Sequence, residues 1–110
     1  MRAACSRWEI GEIASRIGQL YYNYYLQTSD RSYLFESYVF YEAICLREYF
    51  KENMKGDAIL ANKQLRYVAR FIVVCLLLNR REMVRKLLRN LRILVEEYEK
   101  VFKVQPTPFV

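Results

Sequence analysis

The sequence predicts an all-α protein made of two antiparallel helical hairpins. Three observations carry that reading. Apolar residues make up 54% of the 110 residues, too many for a disordered chain. Only three glycines and two prolines occur, and both prolines fall in the last five residues. A sheet protein of this size needs more turn-formers. Apolar residues also recur at helical spacing over four long stretches. They place a helical domain at residues 9–104, with an irregular N-terminus at 1–8 and an irregular tail at 105–110.

The first helix is predicted over about Glu9 to Gln27. Ile10, Ile13, Ala14, Ile17, Leu20, Tyr21, Tyr24 and Tyr25 share one side, and Glu12, Ser15, Arg16, Gln19 and Asn23 the other. "TSDRS" breaks the pattern, and Ser29, Asp30 or Ser32 can cap the next helix. That second helix is predicted over about Tyr33 to Glu52. Leu34, Tyr38, Tyr41, Cys45 and Tyr49 form one stripe; Phe35, Val39, Leu46 and Phe50 form another. A helix with two apolar faces needs neighbours on two sides.

"NMKGD", residues 53–57, is the next break, with Gly56 suited to a left-handed turn residue. A third helix, about Ala58 to Leu78, ends in "FIVVCLLL" and is expected to be the most buried element. Eight apolar residues cannot span a bilayer. The fourth, about Arg81 to Lys103, carries a stripe of Val84, Leu87, Leu88, Leu91, Leu94, Val95, Tyr98, Val101 and Phe102. Gly18 within "IGQLY" and Phe40 and Ala43 within "ESYVFYEA" fit a tetratricopeptide-like pair of hairpins. A closed four-helix bundle explains the pattern equally well.

Much catalytic chemistry is excluded by composition. The chain has no histidine, which removes Ser-His and Cys-His nucleophilic pairs and every histidine metal site. No glycine-rich phosphate loop is present. The close carboxylates, Glu9 with Glu12 and Glu96 with Glu97 and Glu99, read as solvated helix charges. Cys5, Cys45 and Cys75 are too few and too far apart for a disulfide framework or zinc site, and are expected to be reduced. The expectation is a non-enzymatic protein with no cofactor, no metal and no membrane segment.

Two features remain as candidates for function. "LYYNYYL" places four tyrosines in five positions, with no Lys or Arg closer than Arg16 and Arg31. A base-stacking platform interleaves aromatics with basic residues, so these rings are expected in a helix–helix seam. Tyr21 and Tyr24 are expected buried, and Tyr22 exposed and free to meet a partner. The second feature is "RREMVRKLLRNLR", residues 80–92, where Arg81, Arg85, Arg89 and Arg92 share one face. Basic residues open this helix and "EEYE" closes it, which opposes the helix macrodipole. Stability alone does not select that order. Net charge is +6, which suits acidic proteins, nucleic acid or an anionic surface.

Residues 10–44, with the run "ASRIGQLYYNYYL", and residues 65–91, with "RFIVVCLLLN", resemble the SCAI (suppressor of cancer cell invasion) family. The resemblance ends at about residue 9 and about Val104. Members of that family are much longer, which implies an N-terminal-region fragment or a truncated product. The resemblance implies a nuclear transcriptional co-repressor, with the cytoplasm as a second location, whose protein partners act in transcription or DNA repair. It carries no catalytic or ligand motif. The predicted partner-binding residues are therefore Arg81, Arg85, Arg89, Arg92 and Tyr22. The alternatives are a basic module binding DNA or RNA directly, without sequence specificity, or an inactive fragment. Uncovered apolar surface is expected to drive self-association.

Overall fold

The computed structural model describes residues 7–47 and 58–102. They form α1 (Arg7–Thr28), α2 (Arg31–Arg47), α3 (Ala58–Leu77) and α4 (Arg81–Phe102). No strand occurs among the described residues. The chain is all-α, as the sequence predicts. Helix α1 begins two residues before the predicted Glu9, so Arg7 and Trp8 are helical, and Trp8 packs against the core. Cys5, the end of the predicted second helix, the Gly56 turn and the tail lie outside the described residues.

Both short turns close on a non-glycine residue with positive φ. Ser29, after α1, has φ 61°. Its N–H donates to the Tyr25 carbonyl at 2.7 Å, and Thr28 Oγ1 donates to the Tyr24 carbonyl at 2.8 Å. Of the three candidate caps, Asp30 does the capping. Its Oδ1 accepts from the Ser32 N–H at 3.0 Å and from Ser32 Oγ at 2.8 Å. Those bonds favour the charged form and hold the Asp30 carboxyl below its ordinary pKa. After α3, Asn79 takes φ 61° and the Arg80 N–H reaches back to the Cys75 carbonyl at 2.8 Å. This six-to-one bond is the Schellman closure, with Asn79 in the position glycine usually fills.

Helix α1 packs on α2, α3 packs on α4, and α2 and α1 both meet α3. Among the described residues, the backbone of α4 approaches that of α3 alone. A closed four-helix bundle would also bring α4 against α1.

Aromatic rings fill the interior. Phe71 of α3 sits 5.5 Å from Tyr38, 5.7 Å from Tyr41 and 6.0 Å from Tyr67, between ring centroids. Tyr41, Phe71, Leu34, Ile44, Val74, Cys75 and Leu87 are fully buried. Helix α3 was expected to be the most buried element, with its apolar run as a buried segment. Only one face is: Phe71, Val74, Cys75 and Leu78 point inward, while Val73, Leu76 and Leu77 are exposed.

The largest departure from expectation is in α1. Its inward face is centred on two glycines and takes in only part of the predicted stripe. Gly11 and Gly18 are buried, and Ala14, Tyr22 and Tyr25 pack against the core. Ile10, Ile13, Leu20 and Tyr24 are exposed instead. The reason is volume. Tyr41 of α2 projects at α1, and a Cβ built on Gly18 would stand 3.1 Å from its ring. Any larger residue there would press on that ring, which would have to shift by a few tenths of an ångström. Ser37, fully buried on the same helix, donates through Oγ to the Gly18 carbonyl at 2.8 Å. The helix therefore turns its glycines toward its neighbour, and much of the aliphatic stripe is left outside.

Candidate functional site

The tyrosine expectation is reversed by this rotation. Tyr22 was expected to be exposed, yet it is half-buried and packs against the core beside Tyr25. Tyr24 was expected to be buried, yet it is 48% exposed. Tyr21 lies between: its ring stacks on Tyr33 at 6.2 Å and on Phe40 at 5.9 Å, and Tyr33 also meets Tyr24 at 5.4 Å. These four rings line the outer seam between α1 and α2.

The α1–α3 contact is polar. Glu12 accepts from Lys63 Nζ at 2.6 Å and from Arg16 at 3.1 Å. The Lys63 hydrogen bond, with both positive charges nearby, holds the Glu12 carboxyl below its ordinary pKa. Lys63 also lies 5.7 Å from the centre of the Trp8 ring. Further along, Gln19 with its amide oxygen turned toward Arg70 accepts from Nη1 at 2.9 Å. These pairs fix the tilt of α1 while its apolar ridge stays free.

On α4 the predicted arginines sit together. Arg81, Arg85, Arg89 and Arg92 are all exposed. Arg81 Nε donates to Asn79 Oδ1 at 3.3 Å. Beside the row runs an apolar edge that the sequence reading took for core. Leu87 is buried and Val84, Leu91, Leu94 and Tyr98 are half-buried, whereas Leu88 is 50% and Val95 40% exposed. Among the described residues only α3 brings its backbone against α4, and part of the stripe stays exposed. The breadth of the stripe, from Val84 round to Val95, was the signal for this edge. Tyr22 does not join this surface: among the described residues the backbones of α1 and α4 do not approach each other.

Two features complete the inventory. Cys45 and Cys75 are free thiols, and burial pushes the Cys75 pKa up to about 12, which leaves it neutral and inert. Among the described residues no three His, Cys, Asp or Glu side chains stand close enough to hold a metal ion. No helix there is long and apolar enough to cross a membrane.

Fold and surface together define a class: an all-α helical array with an aromatic interior and broad uncovered apolar faces. Comparison with known proteins narrows the class to one family. The family model described as Protein SCAI matches residues 2–107, and the chain belongs to that family. The match reaches beyond both limits at which the resemblance had been drawn. The chain is 59% identical to the Protein SCAI homolog of Dictyostelium discoideum over 98 residues, which is 88% of this chain and 13% of that protein. It is 51% identical to Protein SCAI of Homo sapiens and of Mus musculus over 105 residues, 94% of this chain and 17% of each relative. The chain thus spans less than a fifth of the length of these relatives. No solved structure matches it.

Proposed function

We propose that this chain is a non-enzymatic, protein-binding module of a SCAI-type nuclear co-repressor. Family membership supports the co-repressor role, together with the partners in transcription or repair that the resemblance implies. One structural observation carries the binding role. Large apolar side chains stand exposed on each of the four helices, among them Ile13, Leu46, Leu76 and Leu88. Apolar surface of that extent is a docking surface for other protein. The arginine row of α4 supplies polar contacts beside one such face.

The lack of histidine weighs against catalysis. Direct nucleic-acid binding is the competing outcome, because the same arginines serve both roles. Affinity capture from nuclear extract with the full 110-residue chain, with and without nuclease, separates the two. The expected result is a nuclease-resistant set of transcription or repair proteins. Recovery of nucleoprotein that disappears after nuclease would overturn the reading.

A further inference from the structure

We infer that the outer edge of α4 is a receptor for an acidic amphipathic helix. This rests on the protein-binding reading above and names the chemistry of the partner.

The first argument is the cost of the charge pattern. Arg81, Arg85 and Arg89 are spaced i, i+4, and Arg89 and Arg92 i, i+3. Neighbours at those spacings face each other, and like charges there destabilise a helix. The row also begins at the N-terminus of α4, where the helix dipole repels cations. Among the described residues, no carboxylate pairs with Arg85, Arg89 or Arg92, although Glu96 stands four residues beyond Arg92. Carboxylates delivered by a partner remove the repulsion and complement the dipole together.

The second argument is the apolar edge. Leu88 and Val95 are seven residues apart, two turns along one side, and both are exposed over about half their surface or somewhat less. Such spacing fits the i, i+3, i+4, i+7 anchors of a docked amphipathic helix. A phosphate backbone has no use for that edge. Further along, Glu96 and Glu99 replace the arginines. Their charge repels phosphates but is harmless to a peptide that ends there. From Arg81 to Arg92 the row covers about 16 Å of helix, at ~1.5 Å per residue. That is about three turns of partner. The occupant is a short helix with leucine-type anchors on one face and Glu or Asp on its flank.

The test uses the full 110-residue chain and a fluorescent helical peptide of about three turns, with leucines at heptad spacing and glutamates flanking them. A lysine-flanked peptide with the same leucines is the control, and a duplex DNA oligonucleotide is the third probe. Fluorescence anisotropy at physiological salt is expected to show binding of the glutamate peptide at least tenfold tighter than either other probe. The variant carrying Arg85→Glu, Arg89→Glu and Arg92→Glu, checked for helicity, is expected to reverse the preference toward the lysine peptide. Leu88→Asp in the unreversed chain should weaken the glutamate peptide without restoring the lysine one. Equal binding of both peptides, tighter binding of DNA, or no binding by a folded chain would overturn the inference. Failure here leaves protein capture from nuclear extract intact. Failure of the protein-binding reading removes that capture as well.

Discussion

Helices α1 and α4 both carry a clear apolar stripe, and they use it in opposite ways. In α4 the stripe faces its neighbour: Leu87 is 1% exposed, and Val84, Leu91 and Leu94 pack beside it. In α1 much of the stripe, Ile10, Ile13, Leu20 and Tyr24, faces away, and the two buried glycines make the contact with Ala14, Tyr22 and Tyr25. The difference lies in what the opposing helix brings. Against α3, α4 supplies bulk of its own, and Leu87 is fully buried there. Helix α2 meets α1 with Tyr41, a full aromatic ring, so α1 must withdraw. Interiors are packed to crystal density, and a bulky stripe has no claim on a space already filled. Hydrophobic spacing shows that a helix has an apolar side, and the partner's side chains decide which side goes in.

Mutations can sharpen this contrast. Leu87→Ala on α4 is expected to have the largest effect, about 2–5 kcal/mol, because it empties a fully buried site. Urea unfolding measures it, and a cost near zero would mean that α4 does not dock through that stripe. On α1 the sensitive residue should be the smallest one. Gly18→Ala drives a methyl into the Tyr41 ring, which is held on its other sides by Tyr67 and Phe71. Overpacking of this kind costs about 1–3 kcal/mol. A better helix former at that position returns up to about 1 kcal/mol, so the expected net change runs from near zero to a loss of about 2 kcal/mol. A gain in stability would show that the ring can move aside.

The interior tyrosines give the contrast a pH signature. Burial pushes the Tyr41 pKa from its ordinary 10 up to about 12, and pushes Tyr67 up as well. A raised folded pKa means that the neutral hydroxyl is favoured by folding. Its stabilisation is complete below pH 10 and is lost as the pH rises toward 12. Helicity followed by circular dichroism should hold to about pH 10 and then fall, with phenolate absorbance rising in step. Free ionisation of every tyrosine near pH 10, without loss of helix, would contradict the buried aromatic cluster.

The smallest effects belong to the outer ridge. Tyr24→Ala and Ile13→Ala are each expected to cost under about 1 kcal/mol, as surface changes do. Tyr22→Ala should cost more than Tyr24→Ala, since Tyr22 packs on the core and Tyr24 does not. The reverse order would restore the stripe that the sequence suggested.

That reversal marks how far the sequence could be read. Four helices, and a cap drawn from Ser29, Asp30 or Ser32 before the second, follow from local rules, because caps and turns depend on near neighbours. Gly18 was legible as a close-contact position, but its partner was not. Tyr41 lies 23 residues away in the chain, and no spacing rule links the two. The same limit applied to α4. The stripe was visible, whereas the exposure of Leu88 and Val95 depends on how much of α4 its neighbour α3 can cover. The arginine row needed no partner to be found, because a polar face is written in its own periodicity.

The most direct test of the α1 packing is a double-mutant cycle between Gly18→Ala and Tyr41→Leu, read by urea unfolding of all four proteins. Shrinking the ring makes room for the methyl, so Gly18→Ala should cost clearly less in the Tyr41→Leu background than in the parent. The coupling should exceed about 0.5 kcal/mol, beyond the scatter usual for independent sites. Additive effects of the two changes would mean that glycine and ring do not touch, and that α1 meets α2 through its bulky stripe after all.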